Sequence, residues 1–143
     1  MVIKLGKERA VKFLGMIFTI ISLLPICLPV AFSIVFFMKT GRFVYDILMP
    51  AELFYFTLIG GIGMAILVLL KKNSPKRLII FTTLSIADVL TSQIYANLSG
   101  LSHGSAKPVG IHLVALSIFV VLYHLLAFLV AVECLMDLKK ISE

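Results

Sequence analysis

Residues 50–97 read PAELFYFTLIGGIGMAILVLLKKNSPKRLIIFTTLSIADVLTSQIYAN. An apolar run from Pro50 to Leu70 meets a short break holding Lys71, Lys72, Lys76 and Arg77, and a second run extends from Pro75 to Asn97. Each run reaches the ~20 residues an α-helix needs to cross ~30 Å of hydrocarbon. A basic break between two such runs is the pattern of a cytoplasmic turn joining two membrane spans. This stretch decides the class of fold: antiparallel helices crossing a bilayer.

Outward from it, Phe13–Met38 and residues 108–135 are apolar runs of similar or greater length. The chain of 143 residues then reads as one domain with spans at about 13–38, 50–70, 75–97 and 108–135. The expected fold is an all-α integral membrane four-helix bundle. Composition agrees: 61% of residues are apolar, 14% are charged and the mean hydropathy is +1.13. Soluble domains run nearer ~45–50% apolar and ~25% charged.

The net charge is +6, and its placement matters more than its size. The N-terminal head, the second break and the tail hold ten Lys and Arg, whereas the first and third breaks hold three (Lys39, Arg42 and Lys107). The positive-inside rule then places both termini in the cytoplasm. The expected location is a cell membrane, of the bacterial cytoplasmic kind, crossed several times, with the lipid bilayer as a partner. The bases lie in short loops and build no long basic face, so no nucleic-acid partner is expected. The bases before Phe13 resemble the start of a signal peptide. The run to Met38 exceeds an h-region of ~7–15 residues and no A-x-A-like site follows, so it reads as a retained span.

Local signals mark the helix ends. Gly41 suits a turn, Pro50 suits a first helical position, and Glu52 complements the helix dipole. Ser74-Pro75 predicts an N-cap Ser followed by Pro at the first position. Pro25 and Pro29 predict a kink, with freed carbonyls served by neighbouring helices, Ser22 or water. Gly60, Gly61, Gly63 and Ala65 let backbones approach closely within the chain. Cys27 and Cys134 read as buried thiols rather than a disulfide or metal pair.

The most informative polar group lies at Ser85–Tyr95, SIADVLTSQIY. At ~100° per residue, Ser85, Asp88, Ser92 and Tyr95 share one helix face and Thr91 flanks it. An acid in hydrocarbon costs at least ~2.5–3.5 kcal/mol, so Asp88 should face protein or water. It lies ~13–14 Å from the outer end of its helix. Glu52 and His112 should lie about one turn below the outer surface. The candidate site is therefore a pocket lined by Glu52, Tyr95 and His112, with Ser92 nearby and Asp88 at its floor. It would take a ligand, ion or proton. Alternatively, hydroxyls on its own and adjacent helices satisfy Asp88 and it glues the bundle.

No metal and no cofactor are expected. His112 and His124 stand twelve residues and ~18 Å apart on one helix and cannot clamp one haem, while His103 lies in a loop. Glu52, His103 and His112 lack a recognisable metal-ligand spacing. Glu133, near the inner surface, is expected to snorkel or pair with Lys139.

Three functional readings follow. The first is a non-enzymatic accessory or interaction protein, or an immunity-like one, with a membrane-protein partner. The alternative is a small transporter that forms a homo-oligomer around Asp88. The second alternative is an intramembrane enzyme. In length and number of spans the chain resembles the small multidrug resistance family. That family carries its essential acid in the first helix, and the first span here has none, so no residue role transfers.

Overall fold

A computed structural model describes residues 2–41, 50–102 and 109–142. They form four α-helices: α1 (Val2–Thr40), α2 (Pro50–Leu70), α3 (Lys76–Leu98) and α4 (Ile111–Ser142). All four are long and apolar enough to cross a membrane. Two of them outrun the apolar segments. Helix α1 takes in the basic head, and α4 continues past Leu135 through Met136-Asp137-Leu138-Lys139-Lys140. Both extensions consist largely of good helix formers, and Lys139 and Lys140 complement the dipole of the last turn of α4.

Helices α2 and α4 pack on each other, and each also packs on both α1 and α3, whereas among the described residues α1 and α3 do not meet. The cross-section is a rhombus with α2 and α4 on its short diagonal. Its centre is occupied by Met64 and Val68 of α2 and by Tyr123, Ala127, Val130 and Cys134 of α4, each at most 1% exposed.

Glycine sets the helix spacing. A Cβ on Gly60 would fall 2.7 Å from Ser22 Cβ and 2.9 Å from the Phe18 carbonyl oxygen. Only hydrogen at this position lets α1 and α2 touch. One residue on, a Cβ on Gly61 would lie 2.5 Å from Thr82 Oγ1, which places α3 on the other side of α2. The same segment meets α4, where Cys134 Sγ donates to the Gly60 carbonyl at 3.9 Å.

The distribution of residues is the reverse of a water-soluble bundle. Phe13, Ile20, Phe32, Ile59, Ile80, Leu90, Ile118 and Phe128 are each more than half exposed. Thr19, Ser22, Ser33, Thr57, Thr82 and Ser85 are 5% exposed or less. Several of the buried hydroxyls donate to a carbonyl one turn back, as Thr19 does to Gly15, Thr82 to Leu78 and Ser85 to Phe81, at 2.8, 2.8 and 3.0 Å.

Helix α1 runs on through Pro25 and Pro29, both buried, as one helix. Several other local expectations are corrected. Ser22 donates to Thr19 at 2.8 Å and does not serve the carbonyl of Ile21 that Pro25 frees. Pro75, not Ser74, occupies the N-cap of α3 at φ −88° and ψ 41°, and no side chain caps the helix. Its carbonyl already accepts from Ile79 N–H at 3.0 Å, which holds Pro75 half inside the helix. Cys134 is buried but Cys27 is exposed, because Ser22, Pro25, Pro29 and Ser33 define the inward face of α1 and Cys27 falls off it. Glu133 is 8% exposed, and the ion pair of this region is instead Lys140 Nζ to Asp137 Oδ1 at 2.6 Å.

Candidate functional site

The stripe on α3 faces inward as its spacing predicts. Ser85 and Asp88 are buried, Ser92 and Tyr95 are half-buried, and Thr91 is exposed. The stripe nevertheless does not form one cluster, because its hydroxyls turn to their own helix. Ser85 donates to Phe81 at 3.0 Å, Ser92 to Val89 at 2.8 Å and Thr91 to Ala87 at 2.7 Å. None of the three therefore donates to Asp88. The Asp88 side chain is 7% exposed, and its Oδ1 is buried with no hydrogen-bond partner.

Toward the C-terminal end of α3, Tyr95 Oη and His112 Nδ1 share a hydrogen bond of 2.8 Å, and the Tyr95 ring lies against Phe119 at 5.9 Å. This clasp joins α3 to α4. It lies seven residues from Asp88, about 10 Å along the helix, so it does not extend to the acid. Glu52 is exposed in the first turn of α2 and forms neither a hydrogen bond nor an ion pair among the described residues. The structure thus brings Tyr95 and His112 together, leaves Asp88 two turns deeper and joins Glu52 to neither by a polar contact. His103 lies outside the described residues.

A feature the sequence reading missed sits at the level of Asp88. Thr57 Oγ1 of α2 and Tyr123 Oη of α4 share a buried hydrogen bond of 3.0 Å. Gly61 abuts Thr82, which sets the register of α2 against α3. From Gly61 to Thr57 is about 6 Å toward the Tyr95–His112 end, and from Thr82 to Asp88 about 9 Å the same way, so Asp88 lies within about 3 Å of the Thr57–Tyr123 level. Next to Tyr123, His124 Nδ1 donates to the Val120 carbonyl at 2.7 Å, which fixes the proton on that nitrogen. The sequence signal was a lone Thr in the apolar run of α2, silent until its partner helix is known.

Among the described residues, no group of three or more His, Cys, Asp and Glu is placed to hold a metal ion. What the arrangement offers is a single carboxyl group in a mid-bundle layer, at the level of a neutral hydrogen-bonded pair. Such a group can take up a proton or face one small cation. No protein-family model, no curated protein and no solved structure matches the chain.

Proposed function

We propose that this chain is a multi-pass membrane protein, with both termini cytoplasmic, that works by binding rather than catalysis and whose binding centre is Asp88. The favoured reading is a small transporter-like protein that takes up a proton or a small cation at mid-membrane. Two features support the membrane setting: large apolar side chains point outward while hydroxyls and glycines point inward, and the bases gather at one end of the spans.

The observation that carries the site is the unpartnered Oδ1 of Asp88. A buried polar atom without a partner costs about 1–3 kcal/mol. An acid kept only to glue helices would be bonded to a hydroxyl, and the nearest hydroxyls of its own helix are directed elsewhere. Helices α2 and α4 fill the centre of the bundle, and in this reading the working form is a homo-oligomer.

A second reading, an accessory or immunity-like protein acting through its helix faces, draws on α1. That helix is held by α2 and α4 alone and presents Phe13, Ile20, Val30 and Phe37 outward.

The test is ion and proton flux in proteoliposomes with wild-type protein and Asp88→Asn. The expected outcome is flux in the wild type, lost in the variant at equal yield of folded protein. Undiminished flux in Asp88→Asn would remove the centre of the transport reading. Absence of flux in the wild type, with co-purification of a second membrane protein, would select the accessory one. Reporter fusions at each terminus are expected to report the cytoplasm.

A further inference from the structure

A second polar site lies at the opposite end of the bundle from the Tyr95–His112 clasp. There the turn before α3 and the last turns of α4 enclose a cleft of about 290 Å³. Its polar lining is Ser74, Lys76 and Arg77 on one side and Glu133, Asp137 and Lys140 on the other. Asp137 is 2% exposed and is paired with Lys140. Glu133, one turn away, is 8% exposed and among the described residues has neither a hydrogen bond nor an ion pair. Most of the residue is buried while its unpaired carboxylate stays open to the cleft, where a counter-charge can reach it.

Across the cleft, α3 starts with no side-chain cap, so the amides of its first turn are left to water or a ligand. Lys76 and Arg77 stand exposed beside them. An uncapped helix start with two adjacent cations attracts a phosphate. An unpaired carboxylate opening onto the same cleft attracts an ammonium. The two halves face one small cavity, and a ligand with only one of the two charges would leave the other half unserved.

We propose that this cleft binds a phosphoethanolamine-type group, in which a phosphate ester and a primary ammonium are joined by two carbons. The ammonium meets Glu133 and the phosphate meets the start of α3 with Lys76 and Arg77. The favoured source is an aminophospholipid of the surrounding bilayer. Lys71 and Lys72 in the turn after α2, and Lys139 and Lys140 in the last turn of α4, lie at the end of the helices that holds the cleft, the level at which headgroups lie. Met136 on its wall supplies an apolar side for the glycerol and the upper acyl chains. This inference goes beyond the reading of Asp88 and does not depend on it.

The test is native mass spectrometry of the full chain in mild detergent. The probes are phosphatidylethanolamine, phosphatidylglycerol and water-soluble phosphoethanolamine. Wild-type protein is expected to retain phosphatidylethanolamine about tenfold better than phosphatidylglycerol, the size of one charge-assisted hydrogen bond. Glu133→Gln is expected to erase that preference and leave phosphatidylglycerol retention unchanged. Arg77→Gln, at an exposed position where folding is not in question, is expected to lower retention of both lipids. Equal retention of the two lipids by wild-type protein would overturn the proposal. So would an undiminished preference in Glu133→Gln, or undiminished retention in Arg77→Gln. Displacement of the lipid by equimolar soluble phosphoethanolamine would overturn the bilayer as the source. Flux through Asp88 is expected to be unchanged in Glu133→Gln, so the two readings fail separately.

Discussion

Thr57 and Tyr123 are joined by a hydrogen bond of 3.0 Å between side chains that are 0% and 1% exposed, across 66 residues of chain. It ties α2 to α4 on the short diagonal of the bundle. Thr57→Val and Tyr123→Phe are each expected to lower stability by about 0.5–1.5 kcal/mol. The double variant is expected to lose less than the sum, with a coupling of about 0.6 kcal/mol or somewhat more. Unfolding in mixed micelles measures all four proteins. Strict additivity would mean that the bond contributes nothing.

Gly60 is expected to be the least replaceable glycine. A Cβ there meets Ser22 Cβ and two backbone atoms, none of which yields without moving α1. Gly60→Ala should cost about 1–3 kcal/mol, the range for overpacking a tight interface. Gly15→Ala should cost less, since its nearest obstacle is the flexible end of Leu138 at 3.0 Å. Melting temperatures of the two variants give the order, and equal losses would contradict the assigned α1–α2 contact.

Asp88 should trade stability for function. Asp88→Leu removes a buried oxygen that nothing satisfies and is expected to raise stability by about 1–3 kcal/mol while abolishing flux. A loss of stability in this variant would mean that the acid is bonded in the native protein.

The turn after α2 offers a smaller gain. Lys72 adopts φ 58°, its N–H bonds the Leu69 carbonyl at 2.9 Å, and Asn73 N–H reaches back to Val68 at 3.1 Å. This is a Schellman ending with a non-glycine residue in the left-handed position. Lys72→Gly is expected to stabilise the fold by about 0.5–1 kcal/mol. Thermal unfolding tests this, and a lower melting temperature would count against the assigned turn.

Much of the architecture was legible in residues 50–97. The length of each apolar run and the bases between them are properties of consecutive residues, so helix number, order and approximate ends follow without any tertiary information. The inward face of α3 was equally legible, because Ser85, Asp88, Ser92 and Tyr95 repeat at the helical period. The helical tail beyond Leu135 occurs where propensity outlasts hydropathy, whereas the start of α3 moved one residue later because Pro75 sits at the N-cap.

Partnership between helices was not legible. Glu52, Tyr95, His112 and Asp88 were assigned to one pocket by depth alone, and depth leaves open how each helix is rotated and which neighbour it meets. Those choices are made by close approaches such as Gly60 on Ser22 and Gly61 on Thr82. They bring Tyr95 to His112 and Thr57 to Tyr123, leave the Asp88 oxygen unserved and set Glu133 opposite the bare start of α3. Sequence alone determined that four helices long enough to span a membrane would form and which residues would be polar within them. Tertiary structure decided which of those polar groups are satisfied, because a hydrogen bond depends on ångström-scale separation between helices whose contacts are set by packing.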